Sequence, residues 1–509
     1  MALINSFQEK PDVLRFYNAK NVFYCLFRAV CSYITNIKLA SFAKRFYNHN
    51  RTNDMEVSLF MDNNANSSAT WRTIDRIFHL TDNKTTVKRE VLAGITTFVS
   101  MAYILFVNPS ILGQAGMNKG AVFTATALSA IIGCLLMGVL ANYPIAIAPG
   151  LGDNAFFTFS VVLAMGIPWQ KAMAGVFVAS IIFVVLSLMK IREFVIDAIP
   201  RDLKLAMAAG IGIFIAFIGL QEGGLVGADK SNLVSLGSLT HPAVWLTIFG
   251  IFVIGILMAR KVPGSIFIGM VLTTIVGLFT GLIKAPHHFI SMAPSLKPTF
   301  GVGVTHIGAL ITDPQLWAVV IVFLLVAFFD TAGTLIGLAQ QAGIMKGDKM
   351  PRMNRALMAD SVSMLAGSIM GTTPTSAYVE SSAGIAVGGK TGLTTVVVAI
   401  LFVVSMLFSP LLTMITDNVT APALIIVGVL MASSLREINW DKFEVAFPSF
   451  LTLIGIPLTY NISYGIAFGF LTYPVMMTAA GKMKQVRPIV WILMVTFIVL
   501  LTIMNVLPH

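Results

Sequence analysis

Between about residue 90 and residue 507 the chain repeats one pattern: an apolar run of about 17–22 residues, a short polar break, then another apolar run. Coiled as a helix, each run reaches across the ~30 Å hydrocarbon layer of a bilayer. In that layer every backbone N–H and C=O must be satisfied within the segment or by protein around it, so runs of this length cross as helices. Composition agrees, with 56% of residues hydrophobic, 11% charged and a mean hydropathy of +0.84. A soluble protein of 509 residues would need far more charged surface. The fold class is therefore an all-α polytopic membrane protein, its apolar surface buried in lipid and in helix packing.

The net charge of +11 does not point to nucleic acid. Lysines and arginines fall in short loops, where cytoplasmic segments are expected to carry them, so the charge reports topology. Cys25, Cys31 and Cys134 form neither a metal spacing nor an even-numbered disulfide framework. No cleavable signal peptide is recognised.

Residues 1–74 read as an N-terminal extension on the cytoplasmic side. Residues 1–54 hold eight Lys/Arg against three Asp/Glu. The stretch Asn21–Ile37 is apolar but short and interrupted by Arg28, which a basic helix lying on the membrane surface would explain. The expectation is plainer: a disordered extension, or a reading frame opened upstream of a true initiator at Met55 or Met61. Residues 75–283 form a first set of seven spans, at 91–112, 120–140, 143–165, 170–190, 203–221, 242–260 and 264–283. An extracellular connection, 284–314, leads to a second set over 315–480, at 315–341, 355–373, 375–388, 391–411, 420–435, 444–460 and 461–480. Residues 481–509 are a basic loop and a further hydrophobic segment, 488–507, either spanning or interfacial.

Charge supports this order. Inner loops carry Lys190, Arg192, Arg201 and Lys204, then Arg260 and Lys261, then Lys346, Lys349, Arg352 and Arg355. Outer loops 222–241 and 284–314 are longer yet carry only Lys230, Lys284 and Lys297.

The two sets also echo each other. Gln114-Ala115-Gly116 recurs as Gln341-Ala342-Gly343, an offset of 227, and the same offset carries Pro149–Asn154 onto Ser376–Ser381. Those are the two least helical membrane segments. Seven is odd, so the second set enters the membrane upside down, as in inverted-repeat transporters.

In the third span Pro149 removes a backbone donor, and Gly150 and Gly152 weaken the next turn. Between the ninth and tenth, Gly371 and Pro374 do the same just ahead of Glu380. Either break alone reads equally well as a proline kink. Together, at related positions, they create a midplane pocket bordered by helix N-termini and loose carbonyls. Carboxylates stand beside it: Glu380 in Tyr378-Val379-Glu380-Ser381-Ser382, Asp330 in Phe329-Asp330-Thr331-Ala332-Gly333, and Asp153 beside Asn154. An ionised acid at bilayer depth costs roughly 2.5–3.5 kcal/mol, so repeated acids imply a task, either gripping a polar solute or carrying a proton.

A planar neutral heterocycle suits the pocket. Glu380 accepts from ring N–H groups, Asn154 both donates and accepts, and Ser381 and the peptide groups of 376–379 complete the edge. Phe156, Phe157 or Tyr378 could stack on a face, although any one of them reads equally as helix packing. No histidine falls inside an expected span, since His241, His287, His288 and His306 all map to outer loops. A coupled proton would therefore ride on Asp330, Glu380 or Asp153. A fourth acid, Asp360, is expected to order the loop of Arg352 and Arg355 instead.

The strings Tyr143-Pro144-Ile145-Ala146-Ile147-Ala148-Pro149-Gly150, Asp330-Thr331-Ala332-Gly333-Thr334 and Tyr378–Gly384 resemble the nucleobase–cation symporter 2 family. The closest likeness is to its hypoxanthine/adenine/guanine permease branch. Thr97–Ile104 and Gly388–Thr394 extend the resemblance, which covers about residues 75–480. It implies 14 helices in two inverted seven-helix repeats, with helices 1–4 and 8–11 as a core and helices 5–7 and 12–14 as a gate. It also implies import of a purine nucleobase with a proton, no other cofactor, a homodimer through gate helices, and residence in a bacterial plasma membrane. Glu380 matches the family's substrate-binding acid, Asp330 its acid in helix eight and Asn154 its polar position in helix three. Two positions depart: Ala327, where many relatives have a second acid, and Asp153, where many are apolar. A uracil or xanthine permease of the same fold is the nearest rival. An anion exchanger or channel would want a cation at the two breaks, where carboxylates stand. No metal cluster, nucleophile–base pair or phosphate loop supports an enzyme.

Overall fold

The computed structural model describes residues 69–189, 199–229, 231–286, 288–345 and 350–506, with the side chains of 69–73, 329, 330, 332, 333, 500 and 503–506 outside the described set. The extension at 1–54, the loop charges Lys190, Arg192, Lys230, Lys346 and Lys349, His287 and the terminal His509 lie outside the described residues.

The elements run α1 (Ala69–Phe78), α2 (Val87–Met101), α3 (Ile104–Gln114), α4 (Lys119–Leu136), β1 (Ile147–Pro149), α5 (Leu151–Ala155), α6 (Trp169–Leu188) and α7 (Arg201–Glu222). Then come β2 (Val226–Asp229), β3 (Leu233–Leu236), α8 (Pro242–Ala259), α9 (Ser265–Phe279), and two single turns, α10 (Val302–Thr305) and α11 (Ala309–Thr312). After α12 (Gln315–Gln341) and α13 (Met353–Met370) follow β4 (Thr375–Ala377), α14 (Ser381–Ala386) and α15 (Gly392–Ser405). The chain closes with α16 (Asp417–Ala432), α17 (Phe443–Leu458), α18 (Ile462–Ala479) and α19 (Pro488–Val506). By length and composition, 8 helices among the described residues could cross a membrane, and shorter apolar helices of 10–17 residues accompany them. Polar side chains start several of these helices: Thr86, Asn118, Thr391 and Asn461 each accept from a backbone N–H of the first turn.

One compact unit joins residues 218–289 to 410–426. Its helices pack closely, since a Cβ on Gly250 would lie 2.6 Å from Pro422 Cγ. Asn418 Nδ2 donates to Ala243 O at 3.2 Å and Thr247 Oγ1 at 3.1 Å. The expected outer loop 222–241 contains a hairpin, β2 on β3, running from Val226↔Leu236 to Asp229↔Leu233. Asp229 Oδ1 accepts from the N–H groups of Ser231 and Asn232, both at 2.8 Å, which closes the turn. Strands of four residues with no buried face leave no apolar alternation to read.

The other unit joins 73–217, 290–409 and 427–509. In it α4 packs on α13 and α15, α6 on α12 and α13, α2 on α14 and α15, and α17 on α18. At its centre the two expected breaks become strands and pair with each other. β1 runs antiparallel to β4 in the register Ile147↔Ala377, Ala148↔Ser376, Pro149↔Thr375.

The prolines explain the register. Gly150 N donates to Pro374 O and Tyr378 N to Ala146 O, both at 2.9 Å. The missing donor of Pro374 faces Gly150, so that pair carries one bond rather than two. Pro149 opposes Thr375 at the alternate position, where no ladder N–H is required. The donors of these two bonds, Gly150 and Tyr378, and their acceptors, Ala146 and Pro374, are each 228 positions apart, one more than the offset of 227 between the Gln-Ala-Gly strings. The drift continues into the helices, since α5 and α14 begin at Leu151 and Ser381, 230 positions apart. The turn after β4 is simply longer than the turn after β1.

Candidate substrate site

Each strand of the ladder runs into a short helix, so both helix N-termini lie at the ladder. Gly150 caps α5 and Glu380 caps α14. A π-type turn, Phe156–Ala164, continues α5. Gly371, with φ +92°, ends α13 in the left-handed region that glycine enters freely, and it swings the chain into β4.

Glu380 is half-buried, and its Oε1 accepts from Tyr103 Oη at 2.5 Å. Tyr103 sits where α2 hands over to α3 and is itself buried. Tyr378 donates its hydroxyl to Pro149 O at 2.5 Å, crossing the ladder. Ser381 Oγ accepts from Ala146 N at 2.9 Å, so it fastens the start of α14 to the approach of β1. Asn154 is fully buried, and its Oδ1 accepts from Thr373 Oγ1 while Nδ2 has no hydrogen-bond partner among the described residues. Asp153, next to it on α5, is also fully buried.

Phe156 and Phe157 are fully buried, and the Phe156 ring meets Phe323 of α12 edge to face at 4.8 Å. Both rings are thus engaged in packing. Asp330 belongs to α12, and its side chain lies outside the described residues. Seven residues separate it from Phe323, so the helical period puts position 330 on the face of α12 that meets Phe156. α12 also packs against α5, β4 and α14. Ala327 is buried in an apolar cluster with Phe183, Phe328 and Met364. An acid there would be desolvated among hydrocarbon.

Three groups escape a reading of the sequence. Tyr103 looks like one more aromatic in an apolar run, yet it holds Glu380 from 277 positions away. Asn108 donates to Thr126 Oγ1 at 2.7 Å and Thr372 Oγ1 at 2.9 Å, bracing the residue next to Thr373, which holds Asn154. The pair Asn108-Pro109 inside an apolar run was the available signal. Glu90 is fully buried. Its carboxylate accepts from Thr85 Oγ1 (2.8 Å), Lys390 N (3.0 Å), Thr391 N (3.2 Å) and Thr394 Oγ1 (2.6 Å). It anchors the segment leading from α14 into α15. Asp360 is fully buried in α13.

A planar polar solute at this ladder would meet one carboxylate held by a tyrosine and one buried amide held by a threonine. A family model described as a permease family, that of the xanthine/uracil permeases, matches residues 88–468. The chain belongs to the nucleobase–cation symporter 2 family. The guanine/hypoxanthine permease PbuG of Bacillus subtilis (strain 168) is 52% identical over 430 residues, 83% of this chain and 98% of that one. The adenine permease AdeQ of Escherichia coli (strain K12) is 43% identical over 416 residues, 82% of this chain and 93% of that one. The fold resembles the transmembrane domain of a cyanobacterium bicarbonate transporter, BicA, with TM-score 0.59 at 16% identity over 74% of this chain and 97% of that one. At 16% identity that likeness concerns the fold alone.

Proposed function

We propose that the chain imports purine nucleobases, namely adenine, guanine or hypoxanthine, across the plasma membrane by proton symport. The observation that carries this reading is the 52% identity to a guanine/hypoxanthine permease across 98% of that protein's length. The family match at 88–468 takes in Tyr103, Asp153, Asn154, Asp330 and Glu380 together. The architecture proposed is fourteen spans in two inverted seven-helix repeats, with the N-terminus cytoplasmic, a core around the ladder, a gate beside it, and dimerisation through gate helices.

In this reading Glu380, held by Tyr103, accepts from ring N–H groups. Asn154, its carbonyl occupied by Thr373, turns its amide N–H groups to a ring nitrogen or exocyclic oxygen. Ser381 and Tyr378, committed to Ala146 N and Pro149 O, serve by fixing the two breaks against each other. Phe156 and Phe157 shape the wall. The proton rides on Asp330, Asp153 or Glu380, and it is the only coupling species needed. Alternating access then moves the gate around a site whose own ladder stays intact.

The test is uptake in cells lacking their own nucleobase permeases, with labelled hypoxanthine competed by adenine, guanine, xanthine and uracil. Adenine and guanine compete more strongly than xanthine or uracil, and collapse of the proton gradient removes accumulation. Competition by uracil alone would move the chain to the pyrimidine branch.

A further inference from the structure

A groove of about 420 Å³ opens on the second unit where α4, α6 and α13 end side by side. Its walls are Val139 and Leu140, from the π-type turn Met137–Ala141 that closes α4, with Leu188 of α6 and Met358 of α13. Val139, Leu140 and Leu188 are 57%, 41% and 65% exposed, so this is open apolar surface rather than core. The remaining lining is polar: Ser187, Asn354 and Arg355. Ser187 faces inward, its Oγ 2.6 Å from Ser361 Oγ, and the pair stitches α6 to α13 beneath the groove.

Asn354 and Arg355 are exposed in the first turn of α13, where the helix dipole favours an anion. Arg355 has no hydrogen-bond or ion-pair partner among the described residues. The sequence leading into α13, residues 346–355, carries Lys346, Lys349, Arg352 and Arg355 against the single acid Asp348. By the positive-inside rule this end of the helices meets the cytoplasmic leaflet.

One occupant matches both parts of the groove. The apolar walls suit an acyl chain and not a hydrated ion. A guanidinium at the mouth suits a phosphate oxygen pair, and a headgroup without a compensating cation gains most from it. We propose that this groove binds one anionic phospholipid of the inner leaflet, its phosphate on Arg355 and Asn354 and an acyl chain along Val139, Leu140, Leu188 and Met358. The lipid clamps the ends of α4, α6 and α13. Of these, α13 leads at its far end into Thr372, Thr373 and the ladder.

The experiment is native mass spectrometry of the detergent-solubilised full chain, titrated with phosphatidylglycerol and, separately, phosphatidylcholine of the same acyl chains. Wild type retains phosphatidylglycerol in preference. Arg355→Ala weakens that retention by about tenfold, the effect of losing one charge-assisted contact, and Arg355→Lys keeps most of it. Leu188→Trp, which leaves the arginine and fills the groove, weakens both lipids. Size exclusion and thermal unfolding without added lipid check that each variant is folded.

Equal retention of the two lipids by wild type overturns the proposal. So does unchanged retention in Arg355→Ala, or retention of phosphatidylglycerol at the wild-type level in Leu188→Trp. Displacement of the lipid by inorganic phosphate, or a second copy of the chain appearing in its place, overturns it too. No transport is measured, so the outcome is independent of the purine reading.

Discussion

Tyr103→Phe removes one oxygen and nothing else. The ring stays, so the buried packing around it is preserved and no cavity opens. What is lost is the donor to Glu380 Oε1 at 2.5 Å. A hydrogen bond to a charged group contributes about 1.5–3 kcal/mol net, and at about 1.4 kcal/mol per factor of ten that is roughly 10- to 150-fold in affinity. The carboxylate is half-buried and water can take part of the hydroxyl's place, so the lower part of that range is expected. The assay is equilibrium binding of labelled guanine to purified protein, with Glu380→Gln and the double variant measured alongside. If the tyrosine acts by holding the acid, its loss shrinks toward nothing once the acid is gone, and the two effects fail to add. Binding by Tyr103→Phe within twofold of wild type would refute the reasoning. An undiminished loss in the Glu380→Gln background would refute it as well.

Gly384→Ala tests the seam between α2 and α14. The new Cβ would stand 2.0 Å from Thr97 Oγ1 and 2.6 Å from Ala93 O, and the second of these is backbone and cannot rotate away. The helices must part by several tenths of an ångström, so transport is expected to fall by about 100-fold, the effect of a misplaced binding group, while the protein still inserts. Adding Thr97→Ala should not restore uptake. Glu90→Gln replaces one acceptor oxygen by a donor facing two existing donors, which costs about 2–5 kcal/mol and should lower the thermal unfolding temperature of detergent-purified protein by several degrees. An unchanged unfolding temperature would show the anchor to be idle. Asn108→Ala removes the brace on Thr372 and should weaken guanine binding about tenfold, and wild-type affinity would show that Thr373 holds Asn154 unaided.

The breaks were legible because proline and glycine act locally. Pro149, Gly150 and Pro374 announce that a helix cannot continue, whatever surrounds it. Their pairing with each other was not legible. Three residues carry no alternation, and the partner strand lies more than two hundred positions away. Glu380 stood out because a lone acid in an apolar run is costly, whereas its tyrosine partner did not, since a tyrosine costs little there. Glu90 was hidden for the opposite reason. It falls in a polar, basic stretch where an acid looks like surface, and only the fold reveals that threonine hydroxyls and backbone N–H groups of a distant glycine-rich segment close over it. The hairpin at 226–236 and the drift from 227 to 228 and 230 are likewise products of tertiary packing and turn length.

The ladder between β1 and β4 pairs two segments of the second unit through main-chain groups, with Tyr378 and Ser381 as its two side-chain ties. The main-chain pairing itself is indifferent to the side chains at the other positions. Residues beside it can be exchanged to favour one base over another while the strands keep the same grip. Recognition chemistry can therefore drift at Ser376 over an unchanged backbone pairing, whereas a change at Asn154 must also resettle Thr373.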